Sequence, residues 1–235
     1  METTTITLQE LDEKGACSYG RELFKKHYPK GKADYWDVIK KCVALEEFWD
    51  INWILKELDF TLPDLVLDEL PDEPVFVYPG KVIIKGDVKI TGKVLTKGGL
   101  HVIGKLIVCG YARIWGNTKA DEINVSDDGR IYDGAYGKTI NVSGDGRIDD
   151  GANGETINVS DDGRIYDGAY GKTINVSGDG RIDDGANGET INVSDDGRIY
   201  DGAYGETINV SGDGRIYDGA YGKTINVSDK GRIIC

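Results

Sequence analysis

The chain has 235 residues and is 39% hydrophobic, which suits one or two folded domains rather than a disordered polypeptide. Its 41 acidic and 28 basic side chains give a net charge of −13, which argues against direct binding to nucleic acid. The sequence has no run of about 18 apolar residues and no charged-then-apolar leader, so we expect no membrane span, no signal peptide and a cytoplasmic location.

The charge is unevenly distributed along the chain. Residues 1–75 carry 9 basic and 17 acidic side chains, residues 76–119 carry 8 and 1, and residues 120–235 carry 11 and 23. The chain is therefore acidic, then basic, then acidic. A long acidic segment would suit a partner with a basic groove.

The four cysteines do not form a metal-binding or disulfide pattern. Cys17, Cys42, Cys109 and Cys235 are far apart and make no CxxC pair. Neither of the two histidines lies near a Cys, His or carboxylate cluster at ligand spacing. We therefore predict no metal and no cofactor.

Residues 1–59 contain three of the four tryptophans and show helix-period patterning, which predicts a small helical head. Thr7 is predicted to cap the first helix and Asp34 the third. The first predicted helix begins at about residue 8. The other three span about residues 16–27, 35–45 and 47–58.

Two features of the head bear on function. Trp36, Trp49 and Trp53 either pack as core or line a ligand pocket. Cys17 with His27 is the sole candidate for a catalytic pair, and only the fold could bring the two together. No other constellation of nucleophile and base is present, so we predict that the protein is not an enzyme.

Four prolines lie between residues 60 and 79 and predict a wrapped lead-in segment without a helix. From residue 80 to residue 116 glycine recurs every six residues, with short β-rich pieces between. Three such hexads make an 18-residue coil. A three-sided solenoid is therefore predicted to begin in an irregular form over residues 80–121.

The remainder of the chain repeats a 17-residue unit. The tetrapeptide Ile-Asn-Val-Ser begins at Ile123, Ile140, Ile157, Ile174, Ile191, Ile208 and Ile225. Each unit divides into segments of six, five and six residues, and each segment is long enough for one strand and one corner. Inward-pointing side chains are predicted at Ile123, Val125, Ile131 and Ala135. Turns where φ can be positive are predicted at Gly129, Gly134 and Gly137.

The sequence thus predicts a mainly β protein, a three-sided parallel β-helix (β-solenoid) of about nine coils with a small α-helical N-terminal domain. The head at 1–59 would cap the first coil or display a recognition surface. The head is followed by the lead-in at 60–79, the irregular coils at 80–121 and the regular repeats at 122–235.

Three chemistries are compatible with the repeats. Residues 141–149 resemble the first nine positions of an EF-hand calcium loop, although the twelfth position is Ala152 and no helices flank the loop. Thr139, Asn141 and Ser143 point outward together, which resembles the threonine arrays of ice-binding proteins. The third chemistry is the display of acidic and aromatic side chains in ladders, with arginines bridging carboxylates of adjacent coils.

The third chemistry supplies the predicted partner-binding residues. Tyrosine alternates with Asp or Asn on a 34-residue period until Tyr217 and Tyr221, and exposed tyrosines flanked by aspartates are typical of protein-binding surfaces. The predicted partner-binding residues are Asp127, Asp128, Tyr132, Asp133, Tyr136, Asp161, Asp162, Tyr166, Asp167, Tyr170, Asp195, Asp196, Tyr200, Asp201, Tyr204, Tyr217 and Tyr221.

The last coil departs from the repeat. Lys230 replaces an aspartate, and Ile233, Ile234 and Cys235 replace the Tyr-Asp corner. An open apolar coil favours contact with a second copy of the chain. We therefore predict a homodimer with Ile233, Ile234 and Cys235 at its interface.

The 17–18-residue coils resemble those of bactofilins and, more loosely, of pentapeptide-repeat proteins. The head resembles the helical N-terminal segments of repeat proteins from phages and bacterial mobile elements. The matching residues are Ala16-Cys17, Gly20, Phe24, Tyr28-Pro29 and Trp53-Ile54-Leu55. The resemblance implies a rod that imitates duplex DNA and a phage inhibitor of a host nucleic-acid enzyme, including an anti-CRISPR or other anti-defence protein.

We therefore expect a non-enzymatic binding protein whose acidic solenoid occupies the basic, nucleic-acid-binding surface of a protein partner. No direct contact with nucleic acid or with a membrane is expected. The alternatives are a structural, self-assembling scaffold and, further, a calcium-binding or ice-binding solenoid.

Overall fold

The structure, a computed structural model, describes residues 4–234. The chain divides into two compact units, the head within Met1–Leu62 and the solenoid within Pro63–Cys235.

The head contains the four predicted helices. They are α1 (Leu8–Glu13), α2 (Ser18–His27), α3 (Tyr35–Ala44) and α4 (Phe48–Glu57), and strands β1 (Thr5–Thr7) and β2 (Lys32–Asp34) form a small antiparallel sheet. Both predicted caps are confirmed: the Thr7 hydroxyl accepts from the Glu10 N–H at 3.1 Å, and the Asp34 carboxylate accepts from the Trp36 N–H at 2.9 Å. None of the helices in the described part of the chain is long and apolar enough to span a membrane.

The solenoid consists of parallel strands. Its irregular part contains β3 (Leu65–Leu67), β4 (Val75–Tyr78), β5 (Val82–Lys85), β6 (Val88–Ile90), β7 (Lys93–Thr96), β8 (Leu100–Ile103), β9 (Lys105–Val108), β10 (Arg113–Trp115) and β11 (Thr118–Val125). Its regular part contains the short strands β12 (Arg130–Ile131), β14 (Arg147–Ile148), β16 (Arg164–Ile165), β18 (Arg181–Ile182), β20 (Arg198–Ile199), β22 (Arg215–Tyr217) and β24 (Arg232–Ile234). These alternate with the long strands β13 (Ala135–Val142), β15 (Ala152–Val159), β17 (Ala169–Val176), β19 (Ala186–Val193), β21 (Ala203–Val210) and β23 (Ala220–Val227).

The pairing of β11 shows that each coil has three sides. The first part of β11 pairs with β8, where Thr118 lies beside Leu100, and the second part pairs with β9, where Ile123 lies beside Leu106. Each long strand therefore bends across one corner and supplies two sides. The short strands supply the third side, as a ten-stranded sheet that runs from β4 to β24.

The ten strands of that sheet correspond to about ten turns of the solenoid. The sequence predicted about nine, because residues 60–79 contain no glycine hexads. In the structure Leu65–Leu67 and Val75–Tyr78 already pair in parallel with β5 and β7 and build the first turn. At about 4.8 Å per turn, the strands span roughly 45 Å along the axis.

The interior of the solenoid is a stack of aliphatic ladders. Ile123, Val125, Ile131 and Ala135 are at most 1% exposed, as predicted, and the same positions are buried in every coil through Ile216. Each buried large aliphatic side chain contributes about 1.5–3 kcal/mol relative to exposure. Because every coil of the regular part pairs residue for residue with the next one 17 positions on, the ladders stay in register.

One corner of each coil requires a left-handed backbone. Asp161 has a φ of 53° and Gly178, its equivalent in the next coil, has a φ of 59°. Only Asp and Gly occupy this position in the repeats, because Asp is among the few residues other than Gly that tolerate this conformation. Where Gly occupies it, an added Cβ would lie 2.8–3.0 Å from the backbone nitrogen of the Asp in the preceding coil, so close packing adds a reason for Gly.

Of the three glycines predicted to have positive φ, only Gly134 does, at 81°. Gly129 and Gly137 are instead required by close packing of successive coils. A Cβ added to Gly129 would lie 2.5 Å from the carbonyl oxygen of Val108, and a Cβ added to Gly137 would lie 2.9 Å from the carbonyl oxygen of Ala120. The prediction for Gly129 and Gly137 is therefore wrong in its cause: the preceding coil leaves no room for a side chain.

Candidate binding surfaces

The short-strand side carries the dense charge of the rod, and we name it and its two corners the acidic face. Six consecutive coils place an aspartate before the short strand, at Asp128, Asp145, Asp162, Asp179, Asp196 and Asp213. The same coils place another aspartate after it, at Asp133, Asp150, Asp167, Asp184, Asp201 and Asp218. Only one ladder of arginines lies between them over these coils, at Arg130, Arg147, Arg164, Arg181, Arg198 and Arg215.

The arginines of the acidic face pair mainly within their own coil. Arg147 binds Asp149 at 2.7 Å, and Arg181 binds Asp183 at 2.7 Å. Bridging of adjacent coils, the predicted arrangement, occurs at Arg198, which lies 3.6 Å from Asp179. Because the side-chain hydrogen bond to Asp183 outweighs desolvation, the pKa of Arg181 is raised. The two aspartate ladders therefore keep an excess of negative charge.

The predicted tyrosines at the end of the short strands are half-buried rather than exposed. The Arg147 guanidinium lies 4.0 Å above the Tyr166 ring, and the Arg181 guanidinium lies 4.2 Å above the Tyr200 ring. Tyr200 and Tyr217 stack at 4.6 Å, and Tyr132 stacks on Trp115 at 4.8 Å. These rings join successive coils, and their faces are largely used within the rod.

The predicted aspartates have a conformational role beside their charge. Asp127, Asp161 and Asp195 lie at the left-handed corner position, and so do Asp167 and Asp201 at the second corner. Some also hold the preceding coil: Asp133 accepts from the Gly116 N–H at 2.8 Å. Glycine fills the first of these positions in alternate coils, so the fold itself does not need the carboxylates of Asp161 and Asp195, whereas the Asp127 carboxylate accepts from the Gly110 N–H at 3.2 Å.

The outward Asn of the Ile-Asn-Val-Ser motif forms a continuous amide ladder. Asn141 donates to Asn124 at 2.6 Å, and equivalent bonds of 2.7–2.8 Å follow in every coil to Asn226. Each interior amide both donates and accepts along the rod. The side that resembles an ice-binding array therefore uses its amides to join the coils.

The calcium alternative gains no site from the geometry. Within residues 4–234, no group of three or more His, Cys, Asp or Glu side chains is arranged to hold a metal ion. The loop at 141–149 instead forms a corner between strands, with Gly144 in the left-handed conformation at a φ of 57°.

The corner inside each long strand forms a groove that runs along the rod, and we name it the glycine groove. Its floor is the ladder of Gly137, Gly154, Gly171, Gly188 and Gly205, where an added Cβ would lie 2.6–2.9 Å from the carbonyl oxygen of the preceding coil. One wall alternates tyrosine with asparagine: Tyr136, Asn153, Tyr170, Asn187, Tyr204. The opposite wall is Lys138, Glu155, Lys172, Glu189, Glu206 and Lys223. The main part of the groove encloses about 990 Å³.

The glycine groove is close to neutral, in contrast to the acidic face. Lys138 lies 2.8 Å from Asp121 of the preceding coil, and a hydrogen bond from Lys138 lowers the pKa of the Asp121 carboxyl. Lys223 likewise lowers the pKa of Glu206, and Lys172 lies 3.8 Å from Glu155. The rod therefore has one strongly acidic face and one balanced groove with exposed tyrosines.

The structure does not bring all the predicted partner-binding residues onto one surface. The tyrosines at 132, 166, 200 and 217 belong to the acidic face, whereas those at 136, 170, 204 and 221 lie beyond the Asp-Gly corner on the groove wall, where they are 45–58% exposed. Sequence reasoning missed the groove itself. The recurring glycine after each exposed tyrosine was the signal for it, because only a close approach of backbones explains that glycine.

The last coil exposes the interior ladders. Ile225 is 41% exposed and Val227 is 50% exposed, whereas their equivalents Ile208 and Val210 in the preceding coil are 0% and 1% exposed. Of the predicted interface, Ile233 is half-buried against the core and Ile234 is 38% exposed. Cys235 lies outside the described residues.

The head contains a mostly apolar cavity of about 390 Å³. Cys17 and His27 both line it, together with Trp53 and Trp49, which is 63% exposed. Desolvation and the charge of Lys41 lower the pKa of His27. Cys17 is the N-cap residue of α2, and its sulfur accepts from the Gly20 N–H at 3.4 Å, so its position has a structural cause.

No family model, curated protein or solved structure matches the chain. These comparisons therefore give no support to the resemblance to bactofilins and pentapeptide-repeat proteins. The chain is a tandem-repeat β-solenoid with a small helical head.

Proposed function

We propose that the protein is a non-enzymatic binding protein whose acidic face occupies the basic, nucleic-acid-binding surface of a protein partner. The observation that carries the proposal is the pair of aspartate ladders with a single arginine ladder between them. Over six coils the two ladders supply twelve carboxylates against six guanidinium groups. The excess of negative charge follows the rod in two parallel rows.

The spacing of these rows supports imitation of duplex DNA. Each aspartate ladder carries one charge per about 4.8 Å of the axis, and each strand of DNA carries one per about 3.4 Å. A groove that binds two phosphate rows would meet two carboxylate rows. Because the attraction is between exposed charges, binding should weaken strongly as salt is added.

The aliphatic interior makes this display rigid. Neighbouring carboxylates at about 4.8 Å repel by about 1 kcal/mol in water, and the interior ladders and the amide ladder hold them in place. A partner with a basic surface relieves the repulsion. An inhibitor of a host nucleic-acid enzyme encoded by a phage, such as an anti-CRISPR protein, is the case that the resemblance favours.

Removing charge from one aspartate ladder tests the acidic face. Asp145→Asn, Asp162→Asn and Asp196→Asn together remove three charges from the ladder that precedes the short strands, and none of these side chains makes a hydrogen bond or ion pair within residues 4–234. The matched control, Glu155→Gln, Glu189→Gln and Glu206→Gln, removes the same charge from the glycine groove. Both variants should keep the circular dichroism spectrum of the native protein.

The assay is affinity capture by the immobilised full chain from an extract of the native host, followed by elution with a salt gradient. The native chain and the groove variant should capture the same basic protein, and duplex DNA should displace it. The acidic-face variant should release that protein at a clearly lower salt concentration. A captured protein without a basic groove, or equal elution from both variants, would refute the proposal.

A second candidate function is self-assembly, which the last coil favours. Ile225 and Val227 are exposed where every earlier regular coil buries the equivalent side chains, and β23 and β24 each have one partner strand among the described residues. A second copy stacked on this coil would cover both features in an isologous contact. The dimer would be the unit of a scaffold or a bivalent form of the binding protein.

Sedimentation equilibrium under reducing conditions tests this candidate, because reduction removes any dimer joined through cysteine. The native chain should sediment as a dimer at micromolar concentration, and Ile225→Lys with Val227→Lys should sediment as a monomer. A native monomer throughout that range would exclude the dimer.

A further inference from the structure

The tyrosines of the glycine groove have a regular spacing along the rod. Tyr204 and Tyr221, in adjacent coils, stack at 4.9 Å with an angle of 9° between the rings, so their faces point along the rod axis. Tyr136, Tyr170 and Tyr204 each follow a glycine by two residues. A Cβ added to that glycine would lie 3.4–3.6 Å from the tyrosine ring, and the nearest ring atom is the same one in all three cases. The rings of these three tyrosines therefore have the same placement, two coils apart.

Each pair of these tyrosines bounds an open notch. Twice the coil spacing separates the rings by about 9.6 Å. A group that contacts both faces at 3.5–4.0 Å needs rings about 7–8 Å apart, so the notch has room for a puckered ring. The residue between the rings is Asn153 in one notch and Asn187 in the next, and both are exposed.

The polar groups of the notches are open to a ligand. The amides of Asn153 and Asn187 have no hydrogen-bond partner among residues 4–234, in contrast to the amide ladder on the neighbouring side. The hydroxyl groups of Tyr136, Tyr170 and Tyr204 likewise donate to nothing in the described part of the chain. The groove therefore offers alternating aromatic faces and hydrogen-bond donors along its length.

A polyproline II helix has the matching geometry. It has three residues per turn and rises about 3.1 Å per residue, so equivalent side chains recur every 9.3 Å or so. Proline at every third residue would place one pyrrolidine ring in each notch. The backbone carbonyls of such a helix make no internal hydrogen bonds, so they can accept from the asparagine amides and tyrosine hydroxyls.

The charge of the opposite wall adds a preference for a basic residue. Glu189 lies between Lys172, which pairs with Glu155, and Glu206, which pairs with Lys223. Glu189 itself has no ion-pair partner among the described residues. An arginine or lysine beside the proline of the second notch would reach this carboxylate.

We propose that the glycine groove binds a proline-rich peptide segment in the polyproline II conformation, with prolines in the notches at Asn153 and Asn187 and a basic residue at Glu189. This site is separate from the acidic face and does not depend on the function proposed for that face. A β-linked glycan fits the groove less well, because sugar rings stack on aromatic faces that point outward, and these faces point along the rod.

The column of groove residues supplies the variants for a test. Asn153→Tyr with Asn187→Tyr fills both notches and extends the continuous stack that Tyr204 and Tyr221 already form. Tyr170→Asn removes the ring that both notches share, and asparagine already alternates at this position. The matched control is Tyr166→Asp on the acidic face, where aspartate alternates with tyrosine.

The probe is a fluorescein-labelled peptide of four Pro-Pro-Ala triplets followed by two arginines, titrated with the full chain and followed by fluorescence anisotropy. The control peptide replaces every proline by glycine and keeps the charge. We expect saturable binding of the proline peptide with a Kd below about 1 mM. Both groove variants should raise the Kd at least tenfold, and Tyr166→Asp should leave it within twofold of the native value.

Three results would overturn the proposal. The native chain could fail to bind the proline peptide, the variant with filled notches could bind it as well as the native chain, or the glycine peptide could bind equally well through its charge alone. Binding of a chitin oligosaccharide in place of the peptide would assign the groove to glycans instead.

Discussion

The amide ladder provides a sharp test of what holds successive coils together. Asn175 donates to Asn158 at 2.8 Å and accepts from Asn192 at 2.8 Å, and it is half-buried. Asn175→Ala removes both bonds and leaves one acceptor and one donor without partners. A net contribution of about 0.5–1.5 kcal/mol per bond gives a loss of about 1–3 kcal/mol in the free energy of unfolding.

The end of the same ladder supplies the control. Asn226 donates to Asn209 at 2.8 Å and is exposed. Asn226→Ala breaks a single bond whose remaining partner can turn to water, so the expected loss is below about 1 kcal/mol. The two substitutions delete the same atoms, and only their position in the ladder differs.

Equilibrium unfolding in urea, followed by far-ultraviolet circular dichroism, measures both variants. Nearest-neighbour coupling between coils should be fitted in the same way for each protein, because repeat proteins need not unfold in a single step. The Asn175 variant should lose clearly more stability than the Asn226 variant. Equal losses, or a change below about 0.3 kcal/mol for Asn175→Ala, would show that the ladder does not stabilise the rod.

Three other predictions follow from the packing and charge of the chain. Gly171→Ala places a Cβ about 2.6 Å from the Gly154 carbonyl oxygen, so it should lower the urea midpoint of unfolding strongly. Asp161→Gly should leave that midpoint nearly unchanged. An unchanged midpoint for Gly171→Ala would contradict the close approach of the coils. Added sodium chloride should raise the melting temperature, because screening weakens repulsion within the aspartate ladders and the net charge of −13; a fall on going from low to physiological salt would contradict that reasoning. Burial raises the pKa of Cys42 to about 12 from an ordinary value of 9.0, so alkylation at pH 8 should label Cys17 and spare Cys42, as peptide mass mapping would show. Equal labelling of both cysteines at pH 8 would indicate an open head. Since folded Cys42 holds its proton above pH 9, its contribution to the stability of the head is intact below pH 9 and is lost as the pH rises from about 9 towards 12.

The fold could be predicted largely from two periodicities. The 17-residue spacing of Ile123 and its equivalents fixes the stacking of coils, and the alternation through Val125 fixes which side chains enter the core. The caps at Thr7 and Asp34 were readable because N-cap residues act on the backbone only two or three positions away. These signals are local or strictly repeated, and neither depends on the shape of a corner.

The surfaces were harder to predict because corner geometry decides which columns share a face. Tyr132 and Tyr136 are four residues apart, yet the Asp-Gly corner places them on different sides of the rod. The stacking of Arg147 on Tyr166 joins residues 19 positions apart and depends on how far each side chain leans along the axis. Sequence patterns identified these residues as outward-pointing, and the backbone at Gly134 and Gly151 determined their neighbours.

The strict register of the coils has a consequence for how such a rod can change. Removal of residues 138–171 would join Gly137 to Lys172 within the same local sequence and leave every interface between the remaining coils chemically equivalent. Recombination between the near-identical repeats could thus shorten or lengthen the molecule in steps of one double turn. Such variants would differ in the length of the rod and in the number of repeated contact residues. The residue types on the acidic face and in the glycine groove would stay the same, and each variant would keep a complete stack of coils.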